Sequence, residues 1–147
     1  MIIFANCRLI DGTSDAVRED CHVLVEGNRI GEVSDTPIRA EGARVVDLAG
    51  RTLMPGLIDA HVHVYSTHLN SDKERGMPHT LMMAHAIHRV RAMLMRGFTT
   101  VRDVAGGDWG MKMAVELGLV EGPRMFVSGR ALGQTGGHGD HRHRTDD

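Results

Sequence analysis

Up to about residue 53 the apolar positions come in short bursts separated by turn formers; after residue 55 such bursts alternate with longer stretches at helical spacing. The first pattern predicts strands. Val23-Leu24-Val25 and Ile30-Gly31-Glu32-Val33 flank Gly27-Asn28, a pair that supplies the positive φ a tight hairpin needs. Val45-Val46-Asp47-Leu48 is a further strand, while Pro37, Gly42 and Gly50 punctuate the region and no useful helical period runs through it. Residues 1–55 therefore read as part of a small β domain.

From residue 56 the order becomes strand, helix, strand, helix, strand, the alternation of parallel β/α units. Leu57 to Val64 is the first strand. A helix follows over Thr80 to Arg96, with Met83, Ile87, Val90 and Leu94 on one face, and Gly97 closes it as a left-handed cap. Phe98 to Val104 is the second strand, Trp109 to Leu117 a shorter helix closed by Gly118, and Arg124 to Ser128 the third strand, just after Pro123. From Gly129 on the chain is Gly- and His-rich loop.

Composition narrows the class. With 147 residues, net charge -2, 24% charged and 41% hydrophobic residues, the chain is of the soluble globular type. A closed barrel of eight β/α units takes about 250 residues, so 147 cannot complete one. Seventeen Lys and Arg against 19 Asp and Glu, with five aromatic residues, provide neither a basic footprint nor a stacking platform, which excludes nucleic acid as a partner. There is no apolar run of about 18 residues, and Met1-Ile2-Ile3-Phe4-Ala5 lacks the basic flank of a signal peptide. A cytoplasmic protein with no membrane partner is expected. Cys7 and Cys21 form no C-x-x-C and read as reduced structural thiols. Of the ten histidines only His22 precedes His61.

In Leu57-Ile58-Asp59-Ala60-His61-Val62-His63-Val64 alternation places Ile58, Ala60, Val62 and Val64 on one apolar face and Asp59, His61 and His63 on the other. The histidines fall at the C-terminal end of the strand, where barrel active sites lie. Two imidazoles two residues apart on one strand face can converge on one Zn²⁺ at about 2.0–2.1 Å each.

These residues carry a resemblance. Met54-Pro55-Gly56-Leu57-Ile58-Asp59-Ala60-His61-Val62-His63 resembles the first barrel strand of the amidohydrolase superfamily. Val25-Glu26-Gly27-Asn28-Arg29-Ile30 resembles the hairpin of the small β-sandwich that such enzymes build from both chain ends. The likeness continues through Arg96-Gly97-Phe98-Thr99-Thr100-Val101-Arg102-Asp103, Gly122-Pro123-Arg124 and Gly136-Gly137-His138-Gly139-Asp140. Together these stretches are similar to the imidazolonepropionase-related branch, and within it to metallo-dipeptidases of the Xaa-Pro (prolidase) type and relatives that cleave before a basic residue.

The resemblance implies an α/β fold: part of a small β-sandwich over residues 1–55, then the first three βα units of a (β/α)8 barrel over 56–147, incomplete in this length. It implies a metal-dependent amidohydrolase that cleaves an amide or peptide bond with metal-activated hydroxide, as a dipeptidase of Xaa-Pro type. The alternatives are a cyclic-amide hydrolase of the imidazolonepropionase kind, a deaminase, or a non-catalytic metal-binding fragment. Implied too are Zn²⁺ as cofactor, two ions per complete site, His61 and His63 as metal ligands, and His138 as a hydrogen-bond donor to the carbonyl oxygen as charge develops. The partner would be a small peptide or amide substrate, and self-association stays open. The family's bridging carboxylated Lys, two further His and a late Asp would lie on later strands, since Lys73 and Lys112 fall in helix or loop. The 147-residue chain alone is therefore expected to be inactive.

Other candidates carry weaker signals. Asp103, at the end of the second strand, can back the histidines or pair with an Arg, and spacing leaves both open. His85 and His88 share a helix face with Arg89 and Arg96 and are expected in solvent. His141 and His143, interleaved with Arg142 and Arg144, read as a solvated tail, and the Met cluster as helix packing. His68 and His79 could touch substrate or simply be exposed.

Overall fold

A central strand organises the N-terminal part of this computed structural model, which describes residues 1–66, 76–135 and 137. The chain divides into two units, Met1–Pro55 and Gly56–Asp147. In the first, β1 (Ile2–Leu9) pairs antiparallel with β2 (Arg18–Glu26) and parallel with β4 (Arg44–Asp47) and β5 (Thr52–Leu53), while β3 (Arg29–Ser34) pairs with β2. β1 buries every second residue, Ile3, Ala5, Cys7 and Leu9. The alternation survives an irregularity between Phe4 and Cys7, where Asn6 takes a φ of 56° that asparagine tolerates better than most residues. The β2–β3 hairpin turns through Gly27 at φ 59°. Cys7 and Cys21 lie opposite one another across β1 and β2 as buried free thiols. The Cys7 thiol donates to the Cys21 carbonyl at 3.1 Å, and burial pushes its pKa up.

The second unit holds the expected alternation: β6 (Leu57–Val62), α1 (His79–Met95), β7 (Phe98–Asp103), α2 (Trp109–Glu116) and β8 (Arg124–Val127). The strands form a parallel sheet in the order β6-β7-β8. Val62, Val64, Val101 and Met125 from the strand side pack with Ala86 and Val90 of α1 and Met111 of α2 in one core, so the helices cover one face of the sheet. Leu57, Ile58 and Phe126 are left exposed. Among the described residues no helix is long and apolar enough to cross a membrane.

Two expectations are corrected. The strict alternation along β6 fails: Ile58 is 72% exposed, whereas Val62 and Val64 are 8% and 0% exposed. The cause is a register shift. Asp59 pairs with Val101 and Val62 with Asp103, so three steps along β6 oppose two along β7 and the faces exchange within the strand. The stripe on α1 is also rotated. Ala86 and Val90 are fully buried while Met83 and Ile87 sit at the margin, 36% and 37% exposed. Small Ala86 lets the helix approach the sheet, and Val90 packs where Gly122 has no Cβ.

Gly97 ends α1 at φ 94° and its carbonyl accepts the Leu57 N–H at 2.8 Å, which sets where β6 begins. Immediately before, Gly56 meets Thr99: a Cβ on residue 56 would fall among that side chain's atoms. Gly56→Ala is therefore expected to lower unfolding stability by about 1–3 kcal/mol in urea titration. Thr99→Ala should recover part of the loss; an unchanged midpoint for the single variant would contradict this packing.

Candidate functional site

Beyond the register shift, exposure alternates cleanly through the end of β6 and the two residues that follow it. His61 and His63 are exposed while Val62 and Val64 are buried, so the two rings emerge on the same side, away from the helix-packed core. Their centroids are 5.3 Å apart with planes at 81°, an edge-on pair. Asp59, half-buried, accepts the His61 N–H at 3.0 Å and so braces the strand just before the pair.

The His63 ring has a fixed partner. Its Nδ1 lies 3.3 Å from the Ala105 carbonyl, an oxygen that can only accept. The contact is thus a hydrogen bond donated by Nδ1, and in the neutral ring the lone pair then sits on Nε2. Arg89 of α1 donates to the carbonyls of His63 at 3.3 Å and Val64 at 3.5 Å. Arg102 donates to the Ala60 carbonyl at 3.0 Å. Both guanidiniums thus bind strand backbone, and Arg89 is not a solvent-facing charge as its helix position suggested.

Among the described residues Asp103 has neither an Arg partner nor direct contact with a histidine ring. The side chain is fully buried at the end of β7 and accepts backbone N–H groups: Val64 at 2.7 Å on one oxygen, Ala105 at 3.0 Å and Gly107 at 2.8 Å on the other. Gly107 is required there, since a Cβ would lie 2.5 Å from the Asp103 carboxyl carbon. One residue further, Asp108 caps α2 by accepting the Met111 N–H at 3.0 Å, and the same oxygen accepts the Tyr65 hydroxyl at 3.1 Å. Burial first, and then the negative charge of Asp108 and the hydrogen bond to it, hold the Tyr65 phenol above its ordinary pKa.

Of the sequence candidates the structure brings His61 and His63 together. His138 lies outside the described residues, as do His68, His141, His143 and Lys73. His79, His85 and His88 are exposed on α1. Among the described residues no group of three or more His, Cys, Asp or Glu is gathered for a metal. Ile58, Ala60, Thr100, Arg102 and Phe126 line an open cleft on the uncovered sheet face, apart from both histidines. Sequence reading missed Tyr65, Arg89, Gly107 and Asp108. Only Asp108 had a usable signal, a capping residue directly before the apolar start of a helix.

Residues 52–147 match the model of the amidohydrolase family. The ochratoxinase of Aspergillus niger is 35% identical over 149 aligned positions, which cover 95% of this chain and 30% of that enzyme. An L-hydantoinase of Paenarthrobacter aurescens is 33% identical over 70 residues, 48% of this chain and 15% of that protein. The crystal structure of a prolidase complexed with N-methylphosphonate-L-proline superposes with a TM-score of 0.91 at 44% identity, covering 99% of this chain and 36% of the other. The chain thus spans about a third of the length of the ochratoxinase and of the prolidase.

Tyr65 is the only tyrosine, so its titration can be read directly from phenolate absorbance. It should ionise above the ordinary value of 10.0, and Asp108→Asn should bring it down. Because the native state keeps a proton that the unfolded chain releases, this contribution to stability is complete below pH 10.0 and is lost as pH rises through the raised native value. Tyr65→Phe should abolish that alkaline component of unfolding; ionisation of the native protein at the ordinary value would refute the assignment.

Proposed function

The chain belongs to the amidohydrolase family, and we propose that it carries the opening part of the active site of a metal-dependent hydrolase of amide bonds. His61 and His63 are two of the metal ligands. The observation that carries the reading is the histidine pair at the end of the first parallel strand, one ring of which has its Nδ1 proton engaged and its Nε2 free.

The donors fit a divalent transition metal. Neutral imidazole suits Zn²⁺, and a histidine ligand characteristically donates its other N–H to a carbonyl or carboxylate, as His63 does to Ala105. Two histidines supply two of the three protein ligands a catalytic zinc takes, and the remaining donors are assigned outside the described residues. When bound, Zn²⁺ polarises a carbonyl and brings the pKa of its water to about 7. The chain's own residues then divide the work. His61 and His63 present nitrogen lone pairs on one side of the strand, Asp59 and Arg89 hold the backbone that carries them, and His138 donates to the carbonyl oxygen of the substrate as negative charge builds there.

For substrate, Xaa-Pro dipeptides are the first choice, supported by the likeness to the prolidase structure. Cyclic amides are the second, supported by the stretch shared with the L-hydantoinase. Residues 1–55 then form part of a small β-sandwich and 56–147 the first three βα units of the barrel. The buried, free Cys7 and Cys21 fit a reducing compartment, the cytoplasm.

The test measures zinc content and hydrolysis of Xaa-Pro dipeptides, Xaa-Arg dipeptides and hydantoins by the intact protein. His61→Ala and His63→Ala should each lose bound zinc and turnover, and His138→Ala should lose about 10²–10³ in turnover while keeping the metal. Zinc and activity that survive both ligand substitutions would overturn the reading.

A further inference from the structure

The peptide group between His63 and Val64 is held at both ends: Arg89 donates to its oxygen and Asp103 accepts from its N–H. The loop after β7 is held likewise, for the Ala105 N–H goes to Asp103 while the Ala105 carbonyl receives His63 Nδ1–H. These contacts close a circuit that runs from Asp103 through Ala105 to the His63 ring and back through the Val64 N–H. Asp103 closes it from a fully buried position, and no basic side chain bonds it among the described residues.

We propose that Asp103 is a positioning residue that selects the tautomer of His63: by gripping Val64 and Ala105 together it fixes the Ala105 carbonyl against Nδ1, so that the neutral ring carries its proton there and its lone pair on Nε2. An exposed imidazole with no such partner turns about its side-chain bonds and exchanges its proton between the two nitrogens through water. Here the acceptor is a backbone carbonyl whose place is set by a carboxylate bonded to the residue directly after the histidine. The choice of Asp over Asn follows from the acceptor count. One oxygen takes two N–H groups and the other takes a third, so an amide in either orientation turns its NH₂ towards at least one backbone donor. Gly107 belongs to the same device, because it lets the chain pass close enough for its N–H to reach the carboxylate.

The consequence for metal binding rests on the function proposed above; the consequence for the tautomer does not. The experiment uses the intact protein, stripped of metal and labelled with ¹⁵N-histidine, whose nitrogen shifts separate protonated from unprotonated ring nitrogens; His63→Ala identifies the signal. At alkaline pH, where the ring is neutral, wild type should show His63 as the Nδ1–H form alone. Asp103→Asn should populate the Nε2–H form, and Gly107→Ala, which displaces the carboxylate with a milder change, should do the same if Asp103→Asn does not fold. Val90→Ala, a core truncation that removes none of the circuit's hydrogen bonds, should leave the tautomer untouched, which a merely structural role for Asp103 would not require. Zn²⁺ titration should then show about 10–100-fold weaker binding for Asp103→Asn. A folded Asp103→Asn or Gly107→Ala protein that keeps the pure Nδ1–H form, or a Val90→Ala protein that loses it, overturns the proposal. A tautomer change without loss of zinc affinity upholds it and removes the metal reading of His63 instead.

Discussion

One buried carboxylate holds the C-terminal end of the parallel sheet together. Isolated, Asp103 would be expensive to bury, by several kcal/mol even after relaxation. Three backbone N–H dipoles compensate it. Those donors belong to two stretches of chain far apart in sequence, the end of β6 and the turn leading to α2. Without the carboxylate the Val64 and Gly107 N–H groups would be buried with no acceptor, at about 1–3 kcal/mol each. The same carboxylate therefore satisfies the backbone and sets the geometry of the strand ends, and the turn it organises delivers Asp108 to the cap of α2 and to Tyr65.

The order of elements was legible because it rests on local chemistry. Gly97 and Gly118 stop helices, Pro123 precedes a strand, and Gly27 makes the hairpin, each for a backbone reason that travels with the residue. β1 was not read as a strand even though it is the centre of its sheet. Its buried positions include small Ala5 and Cys7, and Asn6 breaks the rhythm, so the alternation is weak in sequence and strong only once partners flank it. The bulge in β6 was invisible for a different reason: register belongs to a pair of strands, and nothing in Ile58 or Ala60 states that β7 will advance more slowly beside them.

The site was half legible in the same way. His61 and His63 stand out because their spacing needs only one strand. What surrounds them is built across the fold: Arg89 comes from a helix, Ala105 from a loop, Asp103 from the next strand. The bulge reconciles the two levels. It leaves Ile58 on the uncovered face of the sheet and then gives the buried face to Val62 and Val64, so the histidines between and beside them stand clear of the core. In an amidohydrolase barrel the face not covered by helices looks inward, so a shift of one residue separates a strand that merely packs from one that presents polar side chains to the interior.

The parallel order β6-β7-β8 also has a meaning in time. Each strand pairs with the one synthesised before it, across a single intervening crossover. A growing chain can thus lay down this sheet in the order in which it is translated, each new strand docking on an edge already in place. The outer edges of β6 and β8, both unpaired among the described residues, are templates onto which a further strand can add, and while bare they are where a molecule is open to pairing with another copy of itself.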